Sequence, residues 1–224
     1  MKKLYAFDFD GTLTTRDTLL EFIRFACGTR QFLFGFLLFA PLLVLMKLGL
    51  YPNGKAKQKV FAHFFRGMAV DAFDTLCQDF AHTHRHLLRP DIVRLLEQAL
   101  AEGSEVLIVS ASIDNWVRPF FETEDRSREI TILGTQIEIV DGCLTGRFIT
   151  PNCYGQEKVR RILALHPDRS AYYLTAYGDS RGDREMLAFA DEGHIISSCS
   201  SYPTDLPPLK PHAKEPIVNL GSFC

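Results

Sequence analysis

Asp8-Phe9-Asp10-Gly11-Thr12-Leu13-Thr14 is the stretch whose reading decides the fold. It follows Leu4-Tyr5-Ala6-Phe7, an apolar run with the length and composition of a short buried strand. Gly11 breaks the strand pattern, and the hydroxyls of Thr12 and Thr14 suit a turning backbone. Two carboxylates one residue apart at a strand mouth raise each other's pKa unless a cation or hydrogen-bond donors offset them. A divalent metal handled together with a phosphate meets that need. Two solvated acids in an ordinary loop is the plainer reading of the pair taken alone, so the rest of the chain has to decide.

From residue 88 onward, helix and strand patterns alternate. Arg89-Pro90-Asp91 opens a helix whose inner face is Ile92, Val93, Leu95, Leu96, Ala99 and Leu100, and Gly103 stands at its C-terminal end. Val106-Leu107-Ile108-Val109 reads as a strand with Ser110 directly after it, and a short helix runs through Trp116 and Phe120. Residues 130–150 read as strand segments with Asp141-Gly142 as a tight hairpin turn. Gly155-Gln156-Glu157-Lys158 opens a helix to His166, and strand 172–177 ends in Gly178-Asp179-Ser180-Arg181-Gly182-Asp183. A helix to Ala190, a short strand at 194–196 and a proline-rich tail wrapping the core complete the chain. This alternation predicts an α/β fold: a Rossmann-like parallel sheet with helices on both faces. Such sheets bind ligands at the carboxyl ends of their strands. Asp8/Asp10, Ser110 and Asp179/Asp183 each follow an apolar strand, so the fold delivers them to one edge.

The stretch between the first two strands differs. Asp17 is positioned to cap a helix starting near Leu19, and Phe32 to Met46 is the most hydrophobic segment, interrupted only by Gly35 and Pro41. Its fifteen residues fall short of the roughly 20 that span a bilayer, and Pro41 disfavours one continuous helix. A buried helix pair in a helical subdomain is the preferred reading. An interfacial or re-entrant membrane contact through residues 32–50, flanked by Lys47, Lys55, Lys57 and Lys59, or an apolar pocket for a lipid-like substrate, is the alternative. His82, His84 and His86 lack a partner at metal-ligand spacing and read as a solvated helix end. The division expected is a catalytic core of residues 1–15 and 88–224 with an inserted helical cap at 16–87.

With 25 Lys/Arg against 27 Asp/Glu, basic residues dispersed and no low-complexity tract, the chain is not expected to bind nucleic acid. The six cysteines form no C-x-x-C pair or paired framework, and the N-terminus enters a strand at once. Both point to free thiols in the cytoplasm, with association to the inner face of the membrane if residues 32–50 touch it.

Asp8-Phe9-Asp10-Gly11-Thr12-Leu13-Thr14, Ser110 after its strand, Lys158 at a helix start and Gly178-Asp179-Ser180-Arg181-Gly182-Asp183, in that order, resemble the haloacid dehalogenase superfamily, its phosphoserine-phosphatase-like branch in particular. The resemblance covers residues 4–14 and about 88–200, and the insertion matches in position and helical character more than in sequence. It implies a Mg²⁺-dependent phosphomonoesterase. Asp8 would be the nucleophile that forms an aspartyl-phosphate, and Asp10 the acid that protonates the leaving alcohol and then the base for water. Ser110 and Lys158 would hold phosphoryl oxygens. Mg²⁺ would be bound by Asp8, the Asp10 backbone carbonyl and Asp179, with Asp183 and Thr12 in support. Asp10 separates this chain from the metal-free dehalogenating members, which lack a carboxylate two residues after the nucleophile. Asp17 matches in position an acidic substrate contact of phosphoserine phosphatases but has a shorter side chain than the glutamate expected. The long apolar stretch and Gly155-Gln156-Glu157-Lys158 are similar to bacterial phosphatidylglycerophosphate phosphatases of this branch. The substrate expected is therefore a small phosphate such as phosphoserine or a phospholipid head-group phosphate. A phospho-accepting receiver module, which also gathers acids, a hydroxyl and a lysine around Mg²⁺, is the competing class; it would phosphorylate once without turnover.

Overall fold

The computed structural model describes residues 1–122 and 130–197. The strands are β1 (Lys2–Phe7), β2 (Glu105–Ile113), β3 (Ile130–Thr135), β4 (Ile137–Val140), β5 (Cys143–Phe148), β6 (Tyr172–Gly178) and β7 (Glu192–Ile195). The helices are α1 (Thr18–Lys47), α2 (Asn53–Phe65), α3 (Val70–Thr83), α4 (Pro90–Ala101), α5 (Asp114–Val117), α6 (Gln156–Leu165) and α7 (Arg184–Phe189). Five strands form one sheet in the order β3-β2-β1-β6-β7, and every neighbouring pair is parallel. Alternation along β1 explains the two layers. Leu4 and Ala6 face a core shared with Ile162 of α6 and Met186 of α7. Phe7 faces the opposite core with Ile92 and Leu96 of α4. The expected α/β sheet covered on both faces is present.

β1 is the switch point: the chain moves from it to β2 and β3 on one side and returns to β6 and β7 on the other. β2 is longer than its apolar run, because after an irregularity beyond Val109 it continues to pair Ile113 with Thr135 of β3. Ser110 therefore lies inside β2, although beyond the part that pairs with β1.

The chain between β1 and β2 folds as α1 to α4. Phe22 is the hub that ties α1 to its neighbours. Its ring centroid lies 5.0 Å from Trp116, 5.3 Å from Phe80, 5.4 Å from Phe65 and 5.6 Å from Phe73. Offset and edge-on aromatic contacts of this kind add to the burial of each ring. The antiparallel β4–β5 pair, turned at Asp141-Gly142, clamps the α2–α3 link through Gly67 N–H to Leu144 O at 2.8 Å and Val70 N–H to Gly142 O at 2.8 Å.

The structure corrects the preferred reading of residues 32–46. They are not a buried pair. One helical run reaches Lys47, broken by Gly28 at φ 80°, ψ 160°, and continuous through Pro41. Pro41 is tolerated because it faces solvent, where the carbonyl it leaves free can bond water. Of the most apolar window of this run only 6% is buried. The lysines also part company: Lys55 and Lys59 are exposed, whereas Lys57 turns inward. The proline-rich tail, Cys199 and Cys224 lie outside the described residues.

Candidate active site

The carboxyl ends of β1, β2 and β6 bring the sequence-selected groups together. Asp8 leaves β1 with its N–H donating to Tyr177 O of β6 at 2.9 Å. Gly11 takes φ 81° in the turn that follows, and a Cβ there would lie 2.1 Å from an Asp179 carboxylate oxygen. Only glycine admits both the left-handed backbone and that approach. Thr12 is fully buried and its hydroxyl has no partner among the described residues, while Thr14 Oγ1 closes the turn onto Phe9 O at 3.1 Å.

Lys158 comes from the first turn of α6 and is almost wholly buried. Its Nζ donates to Asp8 Oδ1 at 2.5 Å, to Asp183 Oδ1 at 2.5 Å and to Val109 O at 2.7 Å. Asp183 Oδ2 accepts from Ser180 N–H at 2.9 Å and from Ser180 Oγ at 2.8 Å, so both of its oxygens are engaged. Ser110 Oγ accepts from Ser112 N–H at 3.0 Å, which leaves its proton free to donate elsewhere. Ligand oxygens of Asp8, Asp179 and Asp183 lie within 4.8 Å of one another.

One lysine faces three carboxylates, and the electrostatics show the shortfall. Burial pushes the Asp8 carboxyl up to about 8, against the pull of Lys158 and with Asp183 and Asp10 adding to the rise. Burial and then Asp183 raise Asp179 to about 6. Lys158 is held above its usual range because attraction to Asp8 and Asp183 outweighs the burial that lowers it. A cluster of hard oxygen donors with excess negative charge fits Mg²⁺ rather than a thiophilic metal.

Asp10 points elsewhere. Its Oδ1 accepts from Thr18 N–H at 2.7 Å and Thr18 Oγ1 at 2.6 Å, and its Oδ2 accepts from Ser112 Oγ at 2.5 Å. Trp116 Nε1 donates to Thr18 Oγ1 at 3.2 Å, which fixes that hydroxyl. The two carboxylates of the opening motif thus divide: Asp8 toward Lys158 and Asp10 toward the first turn of α1. Asp17 caps α1 by accepting from Leu19 N–H at 3.0 Å. Desolvation and the charge of Asp10 raise its carboxyl, with Lys57 pulling the other way. Lys57 reaches from α2 to donate to Ala111 O at 2.7 Å, between Ser110 and Ser112.

Ser112, Thr18 and Lys57 are site residues that the motifs did not pick out. Each had a periodic signal. Ser112 repeats Ser110 two residues on along a strand, and Thr18 follows the helix cap. Lys57 shares a helix face with Ala56, Val60 and Phe61, all three buried.

Comparison with known proteins agrees with this geometry. Residues 5–188 match the haloacid dehalogenase-like hydrolase family. The chain is 36% identical over 192 residues to protein CicA of Caulobacter vibrioides, covering 84% of this chain and 83% of that protein. Its fold is similar to a HAD family hydrolase, t0658, of Salmonella enterica serovar Typhi, with a TM-score of 0.62 at 17% identity. That match covers 85% of this chain and 60% of the longer protein. It is also similar to a phosphoserine phosphatase solved as an analogue of its phospho-aspartyl intermediate, with a TM-score of 0.58 at 18% identity over 84% of this chain and 83% of that one. With the strand-end acids, the buried lysine and this match over most of its length, the chain belongs to the haloacid dehalogenase-like hydrolase family.

Proposed function

We propose that the chain is a Mg²⁺-dependent phosphomonoester hydrolase that works through a phosphorylated Asp8. The observation that supports this best is the clamp of Lys158 between Asp8 and Asp183 at 2.5 Å each, with Asp10 held apart from it by Thr18 and Ser112. Asp8 attacks phosphorus, and the bond from phosphorus to the ester oxygen breaks as Asp10 gives that oxygen a proton. Asp10 then takes a proton from water, which attacks the phosphorus of the aspartyl-phosphate; phosphate leaves and Asp8 is regenerated. The hydroxyl of Ser110 donates to a phosphoryl oxygen, and Lys158 neutralises charge there that grows in the transition state. Asp183 holds Lys158 in place, since both of its own oxygens are occupied. Asp8, Asp179 and the Asp10 backbone carbonyl would hold Mg²⁺, which would supply the positive charge that the carboxylate cluster and the phosphate need.

Beside Asp10 lie Asp17 of the α1 cap and Lys57 of α2, which are of opposite charge and act on one another. That pair suits a polar alcohol as leaving group, the serine of phosphoserine or the glycerol of a phospholipid head group. Four free cysteines among the described residues support a reducing compartment, the cytoplasm. The test is repeated release of phosphate from an aryl phosphate with Mg²⁺. Chelation or Asp8→Asn should abolish it, and activity that survives either change would overturn the reading. A comparison of phosphoserine with a lysophospholipid phosphate then assigns the leaving group.

A further inference from the structure

The part of α1 beyond Gly28, residues 29–47, has two unlike faces. Its inner face docks on α2. A Cβ at Gly35 would lie 2.3 Å from the ring of Phe64, and Phe39 meets His63 with ring centroids 5.3 Å apart. Its outer face presents Leu33, Phe34, Leu37, Leu38, Val44 and Leu45, each 42–75% exposed. Isolated exposed apolar side chains are ordinary, but a continuous helical surface of them marks an interface.

Charge identifies the partner. From Phe22 to Val70 the chain carries seven of its 25 Lys/Arg and none of its 27 Asp/Glu. Arg24 and Arg30 are exposed before the apolar face, and Lys47, Lys55 and Lys59 after it. The remainder of the chain therefore has 18 Lys/Arg against all 27 Asp/Glu, so in a protein of slightly negative net charge the segment that bears this apolar surface is purely cationic. A second copy of the chain is a poor occupant, because a self-paired face would bring the two cationic rims together. An anionic bilayer offers hydrocarbon for the leucines and head-group charge for the lysines and arginines.

The orientation follows from α2. By length and composition Thr18–Lys47 could cross a membrane. Its inner face, however, is bound to a helix bearing exposed Lys55 and Lys59, and crossing would carry those charges into hydrocarbon. We propose that residues 29–50 lie flat in the interface of an anionic membrane, apolar face down, and moor the catalytic unit there. This surface stands independently of the phosphatase reading.

The full chain tests it by co-sedimentation with phosphatidylcholine vesicles, with and without phosphatidylglycerol, alongside the double variant Leu37→Glu/Val44→Glu. The wild type should pellet with the mixed vesicles, release in alkaline carbonate and bind more weakly as salt rises. The double variant should partition at least about tenfold less while keeping its aryl phosphate turnover and unfolding temperature. Wild type left in the supernatant with both lipids would overturn the proposal, as would equal pelleting of the variant. Carbonate-resistant protein would overturn it in favour of a spanning helix. A dimer that the double variant dissolves, without vesicle binding, would overturn it in favour of a second copy.

Discussion

Asp10 has both carboxylate oxygens occupied by Thr18 and Ser112 before any substrate arrives, so its direction is set by the protein. An acid that must meet an ester oxygen and later a water gains from such fixing, because orientation that is already determined does not have to be won at the transition state. Ser112→Ala removes one donor and should lower kcat about tenfold, the equivalent of one ordinary hydrogen bond, with KM little changed; a steady-state comparison on an aryl phosphate measures it. Asp114, at the start of α5, lies outside the cluster and makes a cleaner probe of pH. Burial raises its carboxyl from the ordinary 3.8 to about 6, against donors at Gln136 and Gly134. The folded protein therefore holds that proton more tightly than the unfolded chain, and the stability it contributes is present in acid and lost as pH rises through about 6. Asp114→Asn should stabilise by about 1–2 kcal/mol at neutral pH and by nothing below both values, as read from thermal unfolding at the two pH values. Asp8, Ser110, Asp179 and Asp183 were legible in the sequence because each follows an apolar run whose strand has one place to end. Lys57 was harder to place: a run of three alternating lysines does not by itself show which one turns inward, and only the buried face of its helix decides.

At the scale of elements, the turn after β1 and the contact between α1 and α2 depend on glycines that nothing larger replaces. Gly11→Ala puts a Cβ against Asp179 in a left-handed backbone. It should cost activity more than stability, because the displaced group is a carboxylate proposed to hold Mg²⁺; titrating Mg²⁺ against turnover should show a markedly weaker apparent affinity. Gly35→Leu overfills the seam where Phe64 packs, and should destabilise by about 1–3 kcal/mol in denaturant unfolding. The α1 helix also shows where sequence reading reaches its end. A helix that is apolar on every side has the same composition whether it fills a core or faces outward. The difference lies in what packs against it, and here α2 covers one side while the other is left open. Pro41 suggested a break that the structure places instead at Gly28, since an exposed proline costs a helix only a bond that water can replace.

Across the whole molecule, a parallel sheet holds the cluster and the helices after β1 supply the site's second half. Thr18 and Lys57 from α1 and α2 meet Asp10 and Ala111 from the sheet edge. The parallel sheet was readable because alternating helical and strand periods admit few other arrangements. The joining of α2 to β2 at Ala111 was not, because it rests on one side-chain hydrogen bond across a long sequence separation. If Mg²⁺ is held as proposed, its removal leaves Asp8 and Asp179, whose carboxyls burial raises, to relieve the repulsion by taking up protons, so chelation should abolish turnover without unfolding the protein, as far-ultraviolet circular dichroism would show. The most direct measurement of the central claim is mass spectrometry of peptides from enzyme quenched in acid during turnover of an aryl phosphate. The account predicts one phosphoryl group on the peptide containing Asp8, more abundant in Asp10→Asn, where water lacks its base, and absent from Asp8→Asn. Turnover with no phosphorylated peptide, or with the phosphoryl group on any other residue, would contradict it.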